Sequence, residues 1–492
     1  MKDVPTALYR ADQVRELDRR AIEEHGIPGF VLMTRAGEAA LGAMRAHWPD
    51  ANHLAVLCGA GNNAGDAYVL ARLAAEAGYR VSVLALVDPE ELTGDAKTAF
   101  EAFVAGGGTA VPWAGAIPES ADLIVDGLLG TGLDRPLTGS FAACVEAANS
   151  APAPILALDI PTGLHADSGG VMGCAMRAGL TVTFIGLKVG LYTGEGPALT
   201  GTLVYDELGV PGEVFADLTP VARRLDRSLI GRLLPPRLRT AHKGDFGHLI
   251  LVGGGAGMPG AIMLAGEAAL RTGAGRVTVA TLPDHLTAVV AGRPELMCAG
   301  VDSPGDLAHL LKSASCIGVG PGIGQTEWAR AMLREALESG LDAVVDADAL
   351  NLLAAAPARR DNWILTPHPG EAARLLGCTT REVQTDRLGA AARLAAGFGG
   401  VAVLKGAGSV VSREGEIPWV CDRGNPGMAA AGMGDVLTGI IAALVAQGMD
   451  LWDAARAGVL IHACAGDDAA RNGERGLLAR DLIREIRSWV NP

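Results

Sequence analysis

The sequence has no CxxC pair and no cluster of histidines at metal-ligand spacing. Its eight cysteines (Cys58, Cys144, Cys174, Cys298, Cys316, Cys378, Cys421 and Cys464) are scattered, which argues against a zinc site or a disulfide framework and reads them as small core residues. It has no apolar run long enough to span a bilayer: the uncharged stretch from Val436 to Met449 is too short, and the opening MKDVPTALYRADQ lacks the apolar core of a secretory signal. A soluble cytoplasmic protein with no membrane partner is the expectation. An excess of basic charge is missing too. With 41 Lys and Arg against 55 Asp and Glu the net charge is −14, and a field of that sign repels a phosphate backbone, so nucleic acid is not expected as a partner. No short internal repeat or low-complexity tract appears, and nothing suggests disorder.

What is present is material for compact α/β domains. At 492 residues the chain is too long for one ordinary core, and 49% hydrophobic residues, 20% charged residues and 67 glycines suit helices packed closely on sheets. The segment from Ala11 to about Trp48 reads as a helix pair, with Val14, Leu17 and Ala21 on one face and a turn at Gly26-Ile27-Pro28-Gly29. From His53 the pattern becomes strand, loop and helix: HLAVLCGAG, a Gly/Asn loop, a helical stretch near Tyr68 to Ala77, then the strand YRVSVLALV. After GTLVYDELGVPGE this alternation lapses into a proline- and arginine-rich stretch, and it resumes at GHLILVGGGAG. The domains are expected at 1–220 and 221–492. In the second, RVTVATL, CIGVGPGIG, DAVVDADALN, NWILTPHPGE and GVAVLKGAGSVV read as strands running into loops.

In the first domain, Gly59 to Asp66 follows a strand and opens a helix, where backbone N–H groups and the helix dipole cradle a phosphate or simply make a tight turn. Asp126 and Asp159 end two other strands, and ligands of doubly wound sheets sit beyond such carboxyl ends. Asn63, Asp126 and Thr162 offer oxygens from three strand-end loops, a donor set suited to a hard cation; the bland alternative is that the aspartates only cap loops. Lys188 closes another apolar strand, either to pair with a substrate phosphate or as an ordinary solvated lysine.

In the second domain, GNPGMAAAGMGDVL (Gly424 to Leu437) joins small residues and Asp435 to a helical pattern beginning at Val436. N–H groups at such a junction form an anion hole for a transferring phosphoryl group, with Asp435 as base on a substrate hydroxyl, unless Asp435 merely caps the helix. Lys405 to Ser409 offers a lysine and flexible backbone to a nucleotide's phosphates, Asp346, Asp348 and Asn351 gather at a strand end, and His368 and Glu371 open a helix.

These motifs carry two resemblances. GAGNNAGDAYVLAR, DGLLGTGLDRPLTG, LDIPTGLHADSG, FIGLKVGLYTGEG and the helical opening with LMTRAG resemble the NAD(P)H-hydrate epimerase domain, over roughly residues 1 to 215. HKGDFGHLILVGG, GPGIG, DADALN, LTPHPGE and GNPGMAAAGMGDVLTGIIAA resemble NAD(P)H-hydrate dehydratase, from about Arg239 to the end. The resemblances imply a Rossmann-like three-layer domain followed by a ribokinase-like three-layer domain. They imply a bifunctional enzyme of metabolite repair that epimerises hydrated NADH and NADPH (NADHX, NADPHX) and dehydrates the S epimer with ADP, which leaves as AMP, assembled as a homo-oligomer.

By the first resemblance, substrate contacts fall on Asn62, Asn63, Ala64, Gly65 and Asp66, on Gly130, Thr131, Gly132, Leu133, Asp134, Arg135 and Pro136, and on Asp159, also the catalytic aspartate. Potassium ligands fall on Asn63, Asp126 and Thr162. By the second, the hydrate contacts Ala261, Gly322, His368 and the catalytic Asp435, and the nucleotide, with Mg²⁺, lies on Lys405, Gly406, Ala407, Gly408, Ser409 and Gly434. Where that family usually has NNGGDG and DIPSG, this chain has Ala64, Ala67 and Thr162. Threonine keeps the hydroxyl, but each alanine adds a methyl that would cost epimerase activity if the backbone there needs a positive φ or a close approach. The alternative is a kinase of vitamin precursors such as hydroxymethylpyrimidine or hydroxyethylthiazole, behind a non-catalytic binding module.

Overall fold

The computed structural model describes residues 4–491, and the chain divides into two compact units, one up to Ala222 and one from Arg223 onward. In the first, a seven-stranded parallel sheet runs Ala110–Pro112, Arg80–Ala85, His53–Cys58, Leu123–Gly127, Ile155–Leu158, Leu180–Phe184, Thr202–Asp206. Its strands are unbroken apolar runs because both faces are covered. Leu54, Val56 and Cys58 join one core with the helices Gly29–His47, Asn62–Glu76 and Gly94–Ala105, while the alternate residues Ala55 and Leu57 join another with the helix Gly139–Ser150. Those two faces make the three layers.

In the second unit, the strands Met297–Gly300, Arg276–Thr281, His248–Val252, Cys316–Val319, Ala343–Val345, Trp363–Leu365 and Val401–Leu404 form a parallel sheet in that order. Ser409–Arg413 and Trp419–Cys421 extend it antiparallel. Leu249 and Leu251 pack with the helices Pro259–Thr272, Met433–Ala446, Leu451–Ala469 and Ala479–Trp489, and the helices Glu327–Glu338 and Arg387–Phe398 cover the other side.

Each sheet starts at a central strand and grows first to one side and then to the other. The order therefore reverses between His53–Cys58 and Leu123–Gly127, and again between His248–Val252 and Cys316–Val319. Crevices at carboxyl ends open at such points.

Two helices begin earlier than their apolar periodicity indicates. Asn62–Glu76 takes in what reads as loop from Asn62 to Ala67, because the small residues there pack as helix. Met433–Ala446 places Gly434 and Asp435 inside its first turn rather than before it, with Gly432 as cap at φ 90°. The strand Ala7–Tyr9 precedes the helix pair and lies parallel to Leu187–Lys188, a pairing across the whole first unit that no local pattern signals. Among the described residues, no helix is long and apolar enough to cross a membrane.

Candidate functional sites

In the first unit, a cavity of about 390 Å³ opens at the reversal point. Asn62, Asn63 and Asp66 line it from the first turns of their helix, Leu128 to Leu133 from the next strand end, and Asp159, Phe184 and Lys188 from further strand ends; Asp18 lines it from the helix Ala11–Arg19. Asp159 leaves its strand with φ 64°, a strained turn for a non-glycine residue. Its Oδ1 is paired with Lys188 Nζ, which also donates to Thr183 Oγ1 at 3.1 Å and to the Phe184 carbonyl at 3.0 Å. The Lys188 side chain is 1% exposed. It is therefore neither a solvated strand-end lysine nor a cation free to meet phosphate: three acceptors already hold its ammonium.

Asp126 lies beneath the cavity, fully buried. Its carboxylate accepts from Thr162 N at 2.8 Å, Thr162 Oγ1 at 2.7 Å and Leu128 N at 3.2 Å. Burial raises its carboxyl to about 6, and the bonds from Thr162 and Leu128 oppose that rise. Asn63 is buried as well, yet neither atom of its side-chain amide has a hydrogen-bond partner. A buried amide left without partners is expensive, and it marks a position that something absent from the protein itself completes.

Not every expected contact reaches the cavity. Ala64 is fully buried in the apolar core and Gly65 packs so closely on Met33 and Ala96 that a Cβ would lie 2.5 Å from the Met33 side chain, so these two support the helix rather than line the cavity. Asp134, Arg135 and Pro136 are exposed and do not line it. The alanines at 64 and 67 are helical, without positive φ, and both methyls are buried in the core. They strain nothing.

In the second unit, the carboxyl ends of adjacent strands bring Asp346, Glu371 and Lys405 together. Lys405 Nζ donates to Asp346 Oδ1 at 2.7 Å and lies 3.9 Å from Glu371 Oε2, while Thr438 Oγ1 donates to Asp346 Oδ2 at 2.8 Å. Burial would lower the lysine, but Asp346 and Glu371 hold it above its ordinary value. Its ammonium is thus held in a buried ion-pair cluster. Gly434 sits against this cluster, where a Cβ would be 3.3 Å from Lys405 Nζ and 3.6 Å from Asp346 Oδ2. Beside it, Asp435 is raised to about 7 by burial and by the Asp346 charge, with Lys405 acting the other way.

The loop Gly406 to Ser409 is a tight turn: Gly406 N donates to Ser409 Oγ at 3.2 Å, and buried Arg387 donates to the carbonyls of Leu404, Lys405 and Gly408. His368 Nδ1 accepts from Gly370 N at 3.0 Å and caps the helix Pro369–Leu376, so its proton is on Nε2, 3.4 Å from Glu371 Oε1. Ala261 and Gly322 face each other, a Cβ on Gly322 falling 3.0 Å from that of Ala261. One turn along the same helix, Leu264 packs against Gly432, which ties this pair to the Asp435 loop. Asp348 and Asn351 form a half-buried pair in the next helix, Asn351 Nδ2 donating to Asp348 Oδ1 at 3.1 Å. Asp18 and Thr438, unremarked in the sequence, have no motif around them; Thr438 lies one helical turn beyond Asp435 and is legible only once the helix start is known.

A family model described as NAD(P)H-hydrate dehydratase matches residues 249–488, and one described as YjeF-related protein N-terminus matches residues 29–190. A ribokinase-like superfamily protein of Enterococcus faecalis superposes with a TM-score of 0.51 at 28% identity, covering 55% of this chain and 95% of that one. The bifunctional NAD(P)H-hydrate repair enzyme of Escherichia coli is 46% identical over 99% of this chain and 95% of its own length. That of Coxiella burnetii is 48% identical over 99% of this chain and 100% of its own. With both halves matched in order and end to end, the chain belongs to the family of bifunctional NAD(P)H-hydrate repair enzymes.

Proposed function

We propose that the first unit interconverts the R and S hydrates of NADH and NADPH, and that the second dehydrates the S hydrate at the expense of ADP, releasing AMP and phosphate. The observation that carries the second half is Asp435: a carboxylate in the first turn of a helix, beside a buried Asp346–Lys405–Glu371 cluster, raised to about 7 where a general base works best at neutral pH. Hydroxide is a poor leaving group. Asp435 takes the proton of the hydrate's hydroxyl, whose oxygen attacks the terminal phosphorus of ADP; AMP departs, and the phosphate ester then eliminates, restoring the reduced nicotinamide. The N–H groups from Gly432 to Gly434 donate hydrogen bonds that stabilise the charge developing on the phosphoryl oxygens. Ala261, Gly322 and His368 line the hydrate's side, and the turn from Lys405 to Ser409 bears the nucleotide through its backbone.

Among the described residues, no group of three or more His, Cys, Asp or Glu is arranged to hold a metal. Mg²⁺ would arrive on the nucleotide, since that ion keeps waters and phosphate oxygens as most of its ligands, and would neutralise phosphate charge when bound. In the first unit, Asn63, Asp126 and Thr162 would hold K⁺. The unpartnered, buried Asn63 amide and the hard oxygens of the other two suit it, and the ion would supply positive charge to the site.

The experiment offers separate R and S hydrates with ADP and follows the return of reduced-nicotinamide absorbance. Asp435→Asn should cut dehydration of the S hydrate by about 10²–10⁴-fold and leave epimer exchange intact. Dehydration at wild-type rate in that variant would refute the role of Asp435. A vitamin-precursor kinase leaves the cavity of the first unit without a use, and no feature of either site favours it.

A further inference from the structure

Four carboxylates line the first unit's cavity, Asp18, Asp66, Asp95 and Asp159, and among the described residues Asp159 alone of them is ion-paired. Asp159 has Lys188, whose ammonium is fully taken up by Asp159, Thr183 and Phe184. Asp18, from the helix Ala11–Arg19, and Asp66, from the helix Asn62–Glu76, line the same cavity, and among the described residues no protein group hydrogen-bonds to either. The unpartnered, 93% buried amide of Asn63, 7% exposed, lines the same space and shows independently that the cavity is built for a polar occupant. The other charged group on its wall is Arg15.

Resting on the reading that this unit epimerises hydrates, we propose that Asp18 is the general acid and base that breaks and remakes the carbon–oxygen bond of the substrate. The hydroxyl-bearing carbon of the hydrate adjoins the ring nitrogen. Asp18 gives its proton to the hydroxyl; the C–O bond breaks, its electron pair leaving with oxygen as water, and the nitrogen lone pair forms a C=N⁺ bond. Water then adds to the planar carbon from the other face, the C=N pair returns to nitrogen, and the released proton goes back to the Asp18 carboxylate. Nothing is oxidised or reduced, and water is the sole co-reactant. On the same wall, burial and the Asp159 and Asp18 charges push Asp66 well above the ordinary carboxyl range. Asp18 is raised only to about 6, by burial and Asp159 against the opposing pull of Lys188, and can both give and take a proton near neutrality.

The test follows exchange of purified R hydrate into S hydrate in the full chain, after subtraction of the spontaneous rate. Asp18→Asn should lower kcat by about 10²–10⁴-fold with KM little changed and should remove the decline in rate as pH rises past 6. Dehydration of S hydrate with ADP should continue at wild-type rate, which shows that the variant is folded, and Asp18→Glu should restore part of the exchange. If Asp18→Asn exchanges epimers within threefold of wild type, or keeps the same pH dependence, Asp18 is not the acid. If the wild-type chain exchanges no epimers beyond the spontaneous rate, the reading of the unit itself is what fails.

Discussion

Lys188 carries a charge almost wholly out of water, and its cost is offset because Asp159, a threonine hydroxyl and a carbonyl surround the ammonium. Removing one member of such a pair leaves the other charge stranded. Lys188→Met, which keeps the length and the packing, should destabilise the first unit by about 3–5 kcal/mol. Urea unfolding followed by a probe in that unit measures it, and epimer exchange should fall with it while dehydration persists; an unchanged midpoint would show that the ion pair contributes nothing. The sequence placed Lys188 at a strand end and could go no further, since its burial depends on the strand Ala7–Tyr9 pairing across about 180 residues with Leu187–Lys188. Asp435 was legible for the opposite reason: glycines on one side and an apolar helix on the other announce a loop-to-helix junction within a dozen residues.

At the scale of elements, the second site depends on how closely two helices approach. Gly439 in Met433–Ala446 lies against Pro259–Thr272 so tightly that a Cβ would come within 2.1 Å of the Ala265 carbonyl. Backbone cannot yield as a side-chain tip does. Gly439→Ala should therefore push the helices apart, destabilise the second unit by about 1–3 kcal/mol and displace Gly432 from Leu264, carrying Asp435 with it. Dehydration should drop while epimer exchange holds, and a variant with both unchanged would show that the contact has slack. Helix identity was readable from periodicity here, but the first turn was not. In Asn62–Glu76 and Met433–Ala446 the opening residues are polar or small and carry no 3.6-residue apolar signal. For the same reason the contacts expected at Ala64 and Gly65 misread helix-packing residues as loop.

For the whole molecule, the two halves place oppositely used carboxyls in one chain. Asp435 acts when it has lost its proton, and its folded-state value is raised to about 7, so dehydration should rise with pH through that point and then level. Asp18 must first give a proton and is raised to about 6, so epimer exchange should be fastest below that point and fall as pH increases. The two rates, measured separately on one preparation from pH 5 to 8, should thus change in opposite directions, exchange falling and dehydration rising as pH increases. Each limb has its own control: Asp435→Asn should abolish the rising limb alone, and Asp159→Ala should depress exchange at every pH and leave dehydration untouched. Parallel pH profiles for the two activities would mean that some step shared by both, rather than these two side chains, sets the rates.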